Sequence, residues 1–223
     1  MSKWLFWIVL VVVVLGLAAL VLAGQSAADL ENQLKAKPDD PALLLRLGRV
    51  FHDQAGLDGR TDVVAKAERH LSRLLAVEPD NAPALVYRGS LETMKAKESG
   101  PSLESLEFLN RGFAWMDRAV LLAPDDPEVR LVRAVNGAFI PVEFGRGDLA
   151  LEDFRAIERI TAGAPGGLPP DFTVAYSFYY GRFLAERGER AAAKPLLKKV
   201  LELAPGSPLA AQAAAILDER EST

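Results

Sequence analysis

The sequence predicts an all-α fold in which helices follow one another in pairs, behind one apolar helix at the N-terminus. Three observations support this. A proline motif recurs at a nearly constant interval, helix-capping residues follow these prolines closely, and apolar residues between the prolines keep a helical spacing. The composition, with 50% apolar and 25% charged residues, is that of a globular protein.

The first segment of the chain is apolar over the length of a membrane span. The stretch from Trp4 to Ala23 carries no charged residue, and about 20 such residues let a helix cross a bilayer. Trp4 and Trp7 lie at one end, where indole rings favour the headgroup region, and Lys3 lies just outside them. We therefore predict a single-pass anchor over residues 1–25, with its N-terminal end in the cytoplasm.

The location that follows from this orientation is the bacterial inner membrane, with the larger part of the chain outside the cytoplasm. Lys35 and Lys37 lie on the far side of the apolar stretch, so a receptor whose helical domain stays in the cytosol is an alternative. A cleaved secretory signal ending before Gly24 is another. The apolar region of such signals, about 7–15 residues, is shorter than the stretch found here.

A proline-centred motif divides the rest of the chain into units of similar length. It reads KPDDP, EPDNAP, APDDP and APGSP, and its first prolines are Pro38, Pro79, Pro124 and Pro205. Their separations are 41, 45 and 81 residues, and Pro165 divides the last into 41 and 40. An interval near 41 residues predicts a repeated supersecondary unit.

Each motif also predicts the start of a helix. Asp40, Asp126 and Ser207 directly precede a second proline, which is the order of a capping side chain followed by proline at the first helical position. Apolar residues then recur three or four positions apart. In the first unit they are Leu44, Leu47 and Phe51, then Ala67, Leu71 and Leu74. Each unit is therefore predicted to be a helical hairpin.

The last unit resembles the tetratricopeptide repeat (TPR) family without a gap. The matching residues are Tyr180, Gly181, Leu184, Gly188, Ala193, Leu197, Val200 and Pro205. The resemblance implies a right-handed solenoid of helical hairpins, with a small residue where the two helices of a pair cross. The implied units are 41–81, 82–126, 127–167 and 170–207, with a capping helix over 26–40 and a capping helix and tail over 208–223.

The first three units are longer than the family pattern. The extra residues are predicted between the two helices of each pair, at 56–61, 98–101 and 139–147. Insertions at one place in every repeat map to one face of a solenoid, which is often used for binding. The alternative is that the helices are simply longer and the loops have no role.

In this family the first helix of each pair lines a concave groove, so the resemblance implies which side chains face a partner. The implied groove residues are Arg46, Arg49, His52, Ser90, Thr93, Arg130, Asn136, Phe178, Tyr179 and Arg182. Arginines and aromatic rings suit an extended peptide with acidic groups, and a solvated charged face is the alternative. The family's clamp for chaperone C-termini is not matched. Its lysine, asparagine and arginine positions hold Leu45, Arg49, Tyr87, Glu128 and Val132.

The sequence does not predict catalysis or a cofactor. The chain has no cysteine, which excludes thiolate chemistry and cysteine zinc sites, and its two histidines, His52 and His70, form no HExxH pair. It contains no G-x-S-x-G, P-loop or G-x-G-x-x-G motif. The net charge of -4 gives no basic face for nucleic acid. We expect no catalytic residue, metal, cofactor, small-molecule substrate or nucleic-acid partner.

The leading hypothesis is a non-catalytic scaffold or assembly factor, tethered to the membrane, that binds partner proteins or peptides in the groove. A narrower alternative rests on the stretch DLENQLKAKPDDPALLLRLGRVF. This stretch is similar to the opening of the repeat domain in cytochrome c maturation factors, which present apocytochrome to a haem ligase. Further alternatives are a cytosol-facing import or chaperone receptor, and an enzyme or enzyme subunit that uses groove carboxylates.

Overall fold

The computed structural model describes residues 26–58, 61–162 and 168–218, and within these ranges it contains ten α-helices, one 3-10 helix and no β-strand. The predicted all-α class is confirmed for this part of the chain. The α-helices are α1 (Ala27–Ala36), α2 (Pro41–Asp58), α3 (Thr61–Val77), α4 (Ala82–Glu98), α5 (Leu103–Leu122), α6 (Pro127–Ala138), α7 (Gly147–Thr161), α8 (Pro170–Glu186), α9 (Arg190–Leu203) and α10 (Pro208–Asp218). The 3-10 helix spans Val142–Phe144.

The predicted membrane anchor, residues 4–23, lies outside the described ranges. Pro165, which divides the longest interval between motifs, also lies outside them. None of the helices described is both long enough and apolar enough to cross a membrane. The anchor therefore stays a prediction from the sequence.

Helices begin where the sequence predicts capping side chains. In α2, α6 and α10 the backbone N–H three residues beyond the cap donates to the cap side chain at 3.1 Å. The three caps are Asp40, Asp126 and Ser207, and each is followed by proline. Asn81 caps α4 in the same way, accepting from the N–H of Ala84 at 3.0 Å. The repeated motif thus ends one hairpin and starts the next.

The N-terminal compact unit extends to Asn136. In it α2 packs against α3 and α4 against α5, each pair forming a hairpin, while α1 packs against α2. The core positions predicted by helical spacing are fully buried. They include Leu44, Leu47, Ala67, Leu71 and Leu74. Because α2 also contacts α4, the first helices of these two pairs share a surface.

Glycines allow the helices within a pair to approach closely. A Cβ on Gly89 would lie 2.5 Å from the carbonyl oxygen of Gly112, and one on Gly112 would lie 2.8 Å from that of Gly89. The backbones of α4 and α5 are therefore in direct contact at this crossing. In the preceding pair, a Cβ on Gly48 would overlap the side chain of Leu71. These glycines occupy the small-residue positions that the family pattern implies.

The C-terminal compact unit begins at residue 137. Here α8 packs against α9, and α10 contacts both. A Cβ on Gly181 would lie 3.0 Å from the side chain of Leu197, so this crossing is also close. Aromatic rings fill the core between α7 and α8, where Phe154 stacks on Tyr180 with centroids 4.8 Å apart.

The three predicted insertions differ in structure. In the first, 56–61, helix α2 continues to Asp58 and α3 begins at Thr61, so the alternative of longer helices applies to this unit. In the second, 98–101, α4 ends at Glu98 and α5 begins at Leu103, so the other inserted residues lie in the turn between these helices. The third, 139–147, is an irregular segment that includes the 3-10 helix and ends where α7 begins.

Candidate functional site

Helices α2, α4 and α6 bring polar side chains together within the N-terminal unit. We call this group the N-terminal polar cluster. Its members are Arg49, His52 and Asp53 of α2, Tyr87, Ser90 and Thr93 of α4, and Glu128 and Asn136 of α6. Residues three or four apart lie on one face of a helix, which explains the spacing within α2 and α4. Five of these residues, Arg49, His52, Ser90, Thr93 and Asn136, are predicted from the sequence to face a partner. His52 and Ser90 are 3% and 0% exposed, which corrects that expectation for these two residues.

His52 connects α2 to α4. Its Nδ1 lies 3.0 Å from Asp53 Oδ1, and its Nε2 lies 2.9 Å from Ser90 Oγ. The ring also meets Tyr87 edge to face, with centroids 4.8 Å apart. His52 is only 3% exposed, so both ring nitrogens find their polar partners inside the protein, as buried groups require.

Asn136 connects α6 to α4. Its Oδ1 accepts a hydrogen bond from Thr93 Oγ1 at 2.5 Å, and its Nδ2 donates to Ser90 Oγ at 3.2 Å. The same Nδ2 donates to the carbonyl oxygen of Val132 at 2.8 Å. Ser90 is therefore bonded both to His52 and to Asn136, and hydrogen bonds link α2, α4 and α6.

Arg49 and Glu128 form an ion pair that joins α2 to α6. Arg49 Nη2 lies 2.5 Å from Glu128 Oε2, and the Tyr87 O–H donates to Glu128 Oε1 at 2.6 Å. The Arg49 guanidinium also lies 5.5 Å from the centroid of the Tyr87 ring, within the range of a cation–π contact. All three side chains thus hold one another in place.

Burial shifts the pKa of two members of the cluster, Glu128 and Tyr87. Burial raises the pKa of Glu128 above its usual value, although the Arg49 charge and the Tyr87 hydrogen bond act in the opposite direction. Burial, reinforced by the Glu128 carboxylate, also raises the pKa of Tyr87 well above its usual value. Tyr87 therefore remains a neutral hydrogen-bond donor at physiological pH.

The ion pair changes what this surface offers to an acidic peptide. Arg49 was expected to meet a carboxylate of the partner, whereas the structure gives it Glu128 of the same chain. The side chains of Arg49 and Glu128 are 31% and 32% exposed, so a neutral pair faces solvent. Arg46, one turn earlier on α2, is half-buried and makes no hydrogen bond or ion pair with a described residue. Arg46 is thus the available cation.

Asp53, His52 and Ser90 are aligned in the order of a serine hydrolase triad, with separations of 3.0 and 2.9 Å. A nucleophile also needs access for a substrate and hydrogen-bond donors for an oxyanion. Ser90 is 0% exposed and lies inside α4, whose N–H groups serve the helix. The alignment therefore fits a structural hydrogen-bond chain.

Across residues 26–58, 61–162 and 168–218, no group of three or more acidic or histidine side chains is placed to hold a metal ion.

Arg130 and Arg182 are engaged in local contacts. The Arg130 Nε–H donates to the carbonyl oxygen of Pro124, which lies just before the start of α6. Arg182 lies over the ring of Phe139, 4.4 Å from its centroid, and donates to Glu186 at 2.7 Å. Its side chain is 12% exposed. Both arginines are engaged inside the protein and are less available to a partner than Arg46.

Phe178 and Tyr179 are both 0% exposed, which corrects the expectation that they line a groove. Helix α8 is apolar on nearly all sides, and residues 174–181 and 183–185 are all buried. A helix that is apolar all round becomes a core element. The family pattern alone therefore does not determine which side chains of α8 reach the surface.

Sequence reasoning did not place Asp53, Tyr87 and Glu128 in the site. In the sequence, Tyr87 and Glu128 stand out only as departures from the chaperone clamp. An acid and a phenol at clamp positions, close to an arginine, make an internal ion pair possible. Asp53 carries no separate signal beyond its place next to His52.

A second buried polar group in the N-terminal unit surrounds Glu92, whose side chain is 3% exposed. It lies 2.5 Å from Arg88, 3.1 Å from Arg111 and 3.5 Å from Lys95, and Arg88 also pairs with Glu68 of α3. Burial alone would raise the pKa of Glu92, but the hydrogen bond and charge of Arg88, with the other two cations, hold it below its usual value. These contacts tie α3, α4 and α5 together.

These observations define an all-α protein built of proline-marked helical hairpins with glycine at the crossings. The model is similar to the crystal structure of TTC0263, a thermophilic TPR protein of Thermus thermophilus, with a TM-score of 0.65 and 18% identity over 86% of this chain and 88% of that one. It is also similar to the crystal structure of MamA, with a TM-score of 0.46 and 19% identity over 79% of this chain and 85% of MamA. No protein-family model and no curated protein matches the sequence. The chain therefore has the fold of TPR proteins, as its sequence predicted.

Proposed function

We propose that this chain is a non-catalytic scaffold or assembly factor that binds partner proteins or peptides along the first helices of its pairs. The observation that carries the proposal is the N-terminal polar cluster, which joins α2, α4 and α6 by side-chain bonds. A surface whose side chains are already fixed loses little conformational entropy when a partner binds. The same internal bonds leave Ser90 without access to a substrate, which favours binding over catalysis.

The partner best suited to this surface is an extended peptide with an acidic group. Arg46 supplies a half-buried cation without a described partner, and the Arg49–Glu128 pair supplies a polar patch about one third exposed. A carboxylate beside Arg46 would form charge-assisted hydrogen bonds. Polar groups of the peptide would meet Thr93, which is also half-buried. We expect Arg46 to contribute most of the charge recognition.

A charge reversal at Arg46 tests the proposal. The full-length chain, with Arg46→Glu or without it, is crosslinked to its partners in the native membrane and captured. Arg69→Glu is the matched control, because Arg69 is exposed on α3, the second helix of the pair. We expect Arg46→Glu to reduce the yield of captured partners about tenfold, a difference of about 1.4 kcal/mol, and Arg69→Glu to leave it unchanged. Equal capture by both variants would contradict binding at this surface.

We further propose that residues 4–23 anchor the chain in a bacterial inner membrane, with the helical domain outside the cytoplasm. The uncharged length of this stretch and its terminal tryptophans support the proposal. Protease added to spheroplasts should degrade the helical domain, and a chain lacking residues 1–25 should appear in the soluble fraction. A domain that is protected until the membrane is broken would place it in the cytosol.

A further inference from the structure

The C-terminal unit contains a cavity that the N-terminal polar cluster does not involve. It has a volume of about 320 Å³ and lies where the end of α8, the first part of α9 and the end of α10 meet. Its apolar lining includes Leu197, which is 1% exposed, and the half-buried Ile216 and Leu217. This volume is near the lower end for ligand pockets, so it accommodates a few apolar side chains.

Three cations border this cavity. Arg190, Lys194 and Lys198 are four residues apart on α9, all are exposed, and none has an ion pair or hydrogen bond with a described residue. Four-residue spacing puts them on one face at intervals of about 6 Å. Like charges at this spacing repel one another. Asp218 is the one acidic residue in the lining, so the border carries excess positive charge in a chain whose net charge is -4.

Helix α10 continues this apolar surface. It packs against α8 and α9, while Ala211 and Ala215 are exposed on it and Ala214 is half-buried. Small side chains allow a second helix to approach closely, as Gly89 and Gly112 do between α4 and α5. In the hairpins α2–α3, α4–α5 and α8–α9 the first helix is covered by a second one. An added helix along α9 and α10 would cover α10 in the same manner.

We propose that α9 and α10 form a second binding site, whose ligand is an acidic amphipathic helix of a partner protein. Acidic side chains four residues apart on that helix would pair with Arg190, Lys194 and Lys198. Large apolar side chains beside them would enter the cavity and contact Ile216. The four-residue spacing of the three cations matches the spacing of side chains on one face of a helix, and the apolar cavity beside them fits large apolar side chains. Both features favour this ligand. The site lies in a different unit from the surface proposed above and does not depend on it.

A synthetic helix tests the proposal on the full-length chain in detergent. The probe is a fluorescein-labelled amphipathic peptide of about 16 residues, with glutamate at every fourth position and leucine beside it, and binding is followed by anisotropy. Lys198→Glu is compared with Lys199→Glu. Both lysines are exposed neighbours on α9, but only Lys198 borders the cavity.

We expect Lys198→Glu to weaken binding about tenfold, since a like-charge contact replaces an attraction, and Lys199→Glu to change it little. A peptide with lysine in place of one glutamate should regain affinity for Lys198→Glu only. Binding should also weaken when the peptide leucines become serine. Arg46→Glu should leave peptide binding unchanged, which separates this site from the N-terminal surface.

Three results would overturn the proposal. The first is equal weakening by Lys198→Glu and Lys199→Glu, which would indicate general charge attraction. The second is unchanged peptide affinity in Lys198→Glu, together with no gain in affinity of that variant for the peptide that carries lysine. The third is strong, Lys198-dependent binding of vesicles containing phosphatidylglycerol together with no binding of the peptide, which would identify an anionic lipid surface as the ligand.

Discussion

At the scale of single residues, His70 shows how burial controls charge in this protein. It is 8% exposed and its ring stacks on Phe51, with centroids 5.7 Å apart. Burial lowers the pKa of His70 below its usual value, helped by the charges of Arg73 and Arg69, while Glu31 acts in the opposite direction. The neutral imidazole is thus the form that the fold accepts.

A lowered pKa makes stability depend on pH in a defined direction. Below about pH 6.5 the unfolded chain protonates His70 before the folded chain does, so the unfolded state binds more protons. The stability that neutral His70 contributes is therefore present above this pH and is lost as the pH falls through its folded pKa. We expect the free energy of unfolding in urea to decrease between about pH 7.5 and about pH 5.5. His70→Phe, which keeps a ring against Phe51, should reduce that decrease. An identical slope in both proteins would contradict this account.

Glu128 makes stability depend on pH in the opposite direction to His70. Because burial raises its pKa, its contribution to stability is present below its unfolded pKa, near 4.5, and is lost as the pH rises through its folded pKa. Glu128→Gln removes the charge and retains an acceptor for the Tyr87 O–H. We expect it to change the free energy of unfolding at neutral pH by less than about 1 kcal/mol. Glu128→Ala should cost about 1–3 kcal/mol, because it leaves Arg49 and Tyr87 unsatisfied. Equal losses in the two variants, measured by urea unfolding, would show that the charge itself stabilises the fold.

Some residue roles could be predicted from the sequence and others could not. The caps Asp40, Asp126 and Ser207 act locally, within four residues, so sequence alone was enough. The partner of Arg49 lies 79 residues away, and its identity depends on how three helices stack. The helical pattern correctly predicts that Phe178 and Tyr179 lie on a helix. It does not predict that both side chains are buried, because that depends on the helices packed around α8.

At the scale of helices, the crossing of α4 and α5 depends on two glycines facing each other. Gly89→Ala would place a methyl group 2.5 Å from the backbone of Gly112, where no side chain can move aside. We expect it to lower the free energy of unfolding by about 1–3 kcal/mol. Gly137→Ala is the control, because its nearest contact would be at 3.4 Å and alanine favours a helix. Thermal unfolding of both variants tests this, and equal stability of the two would contradict close packing at this crossing.

The boundaries of the helices illustrate the limit of pattern reasoning at this scale. The proline motif marked the start of α2, α4, α6 and α10 because proline and its cap act on the first turn. The insertion at 56–61 carries no proline, and α2 continues into it as far as Asp58, as packing against a partner helix favours. The insertion at 98–101 contains Gly100, whose φ is 62°, and Pro101, and α4 ends at Glu98 just before them. Segment 139–147 contains Pro141 and Gly145, which end the helical pattern.

At the scale of the whole molecule, the repeat interval predicted the helix pairs but not the division into two compact units at residue 136. The interval is set by each hairpin alone, whereas a compact unit depends on how tightly successive hairpins pack. Each unit has its own close crossing, at Gly89 in the first and at Gly181 in the second. These crossings provide a way to perturb one unit at a time.

In repeat proteins, stability is a sum of terms from each repeat and from its interfaces with neighbours. We therefore expect Gly89→Ala to accelerate amide hydrogen exchange within residues 41–122, by about tenfold for each 1.4 kcal/mol lost, and to leave residues 170–203 near their original rates. Gly181→Ala, whose methyl group would lie 3.0 Å from Leu197, should show the reverse pattern. Exchange measured by mass spectrometry on peptides from each range distinguishes the outcomes. If either variant raises exchange equally in both ranges, the two units unfold as one cooperative body, and the separate cores do not determine how this protein opens.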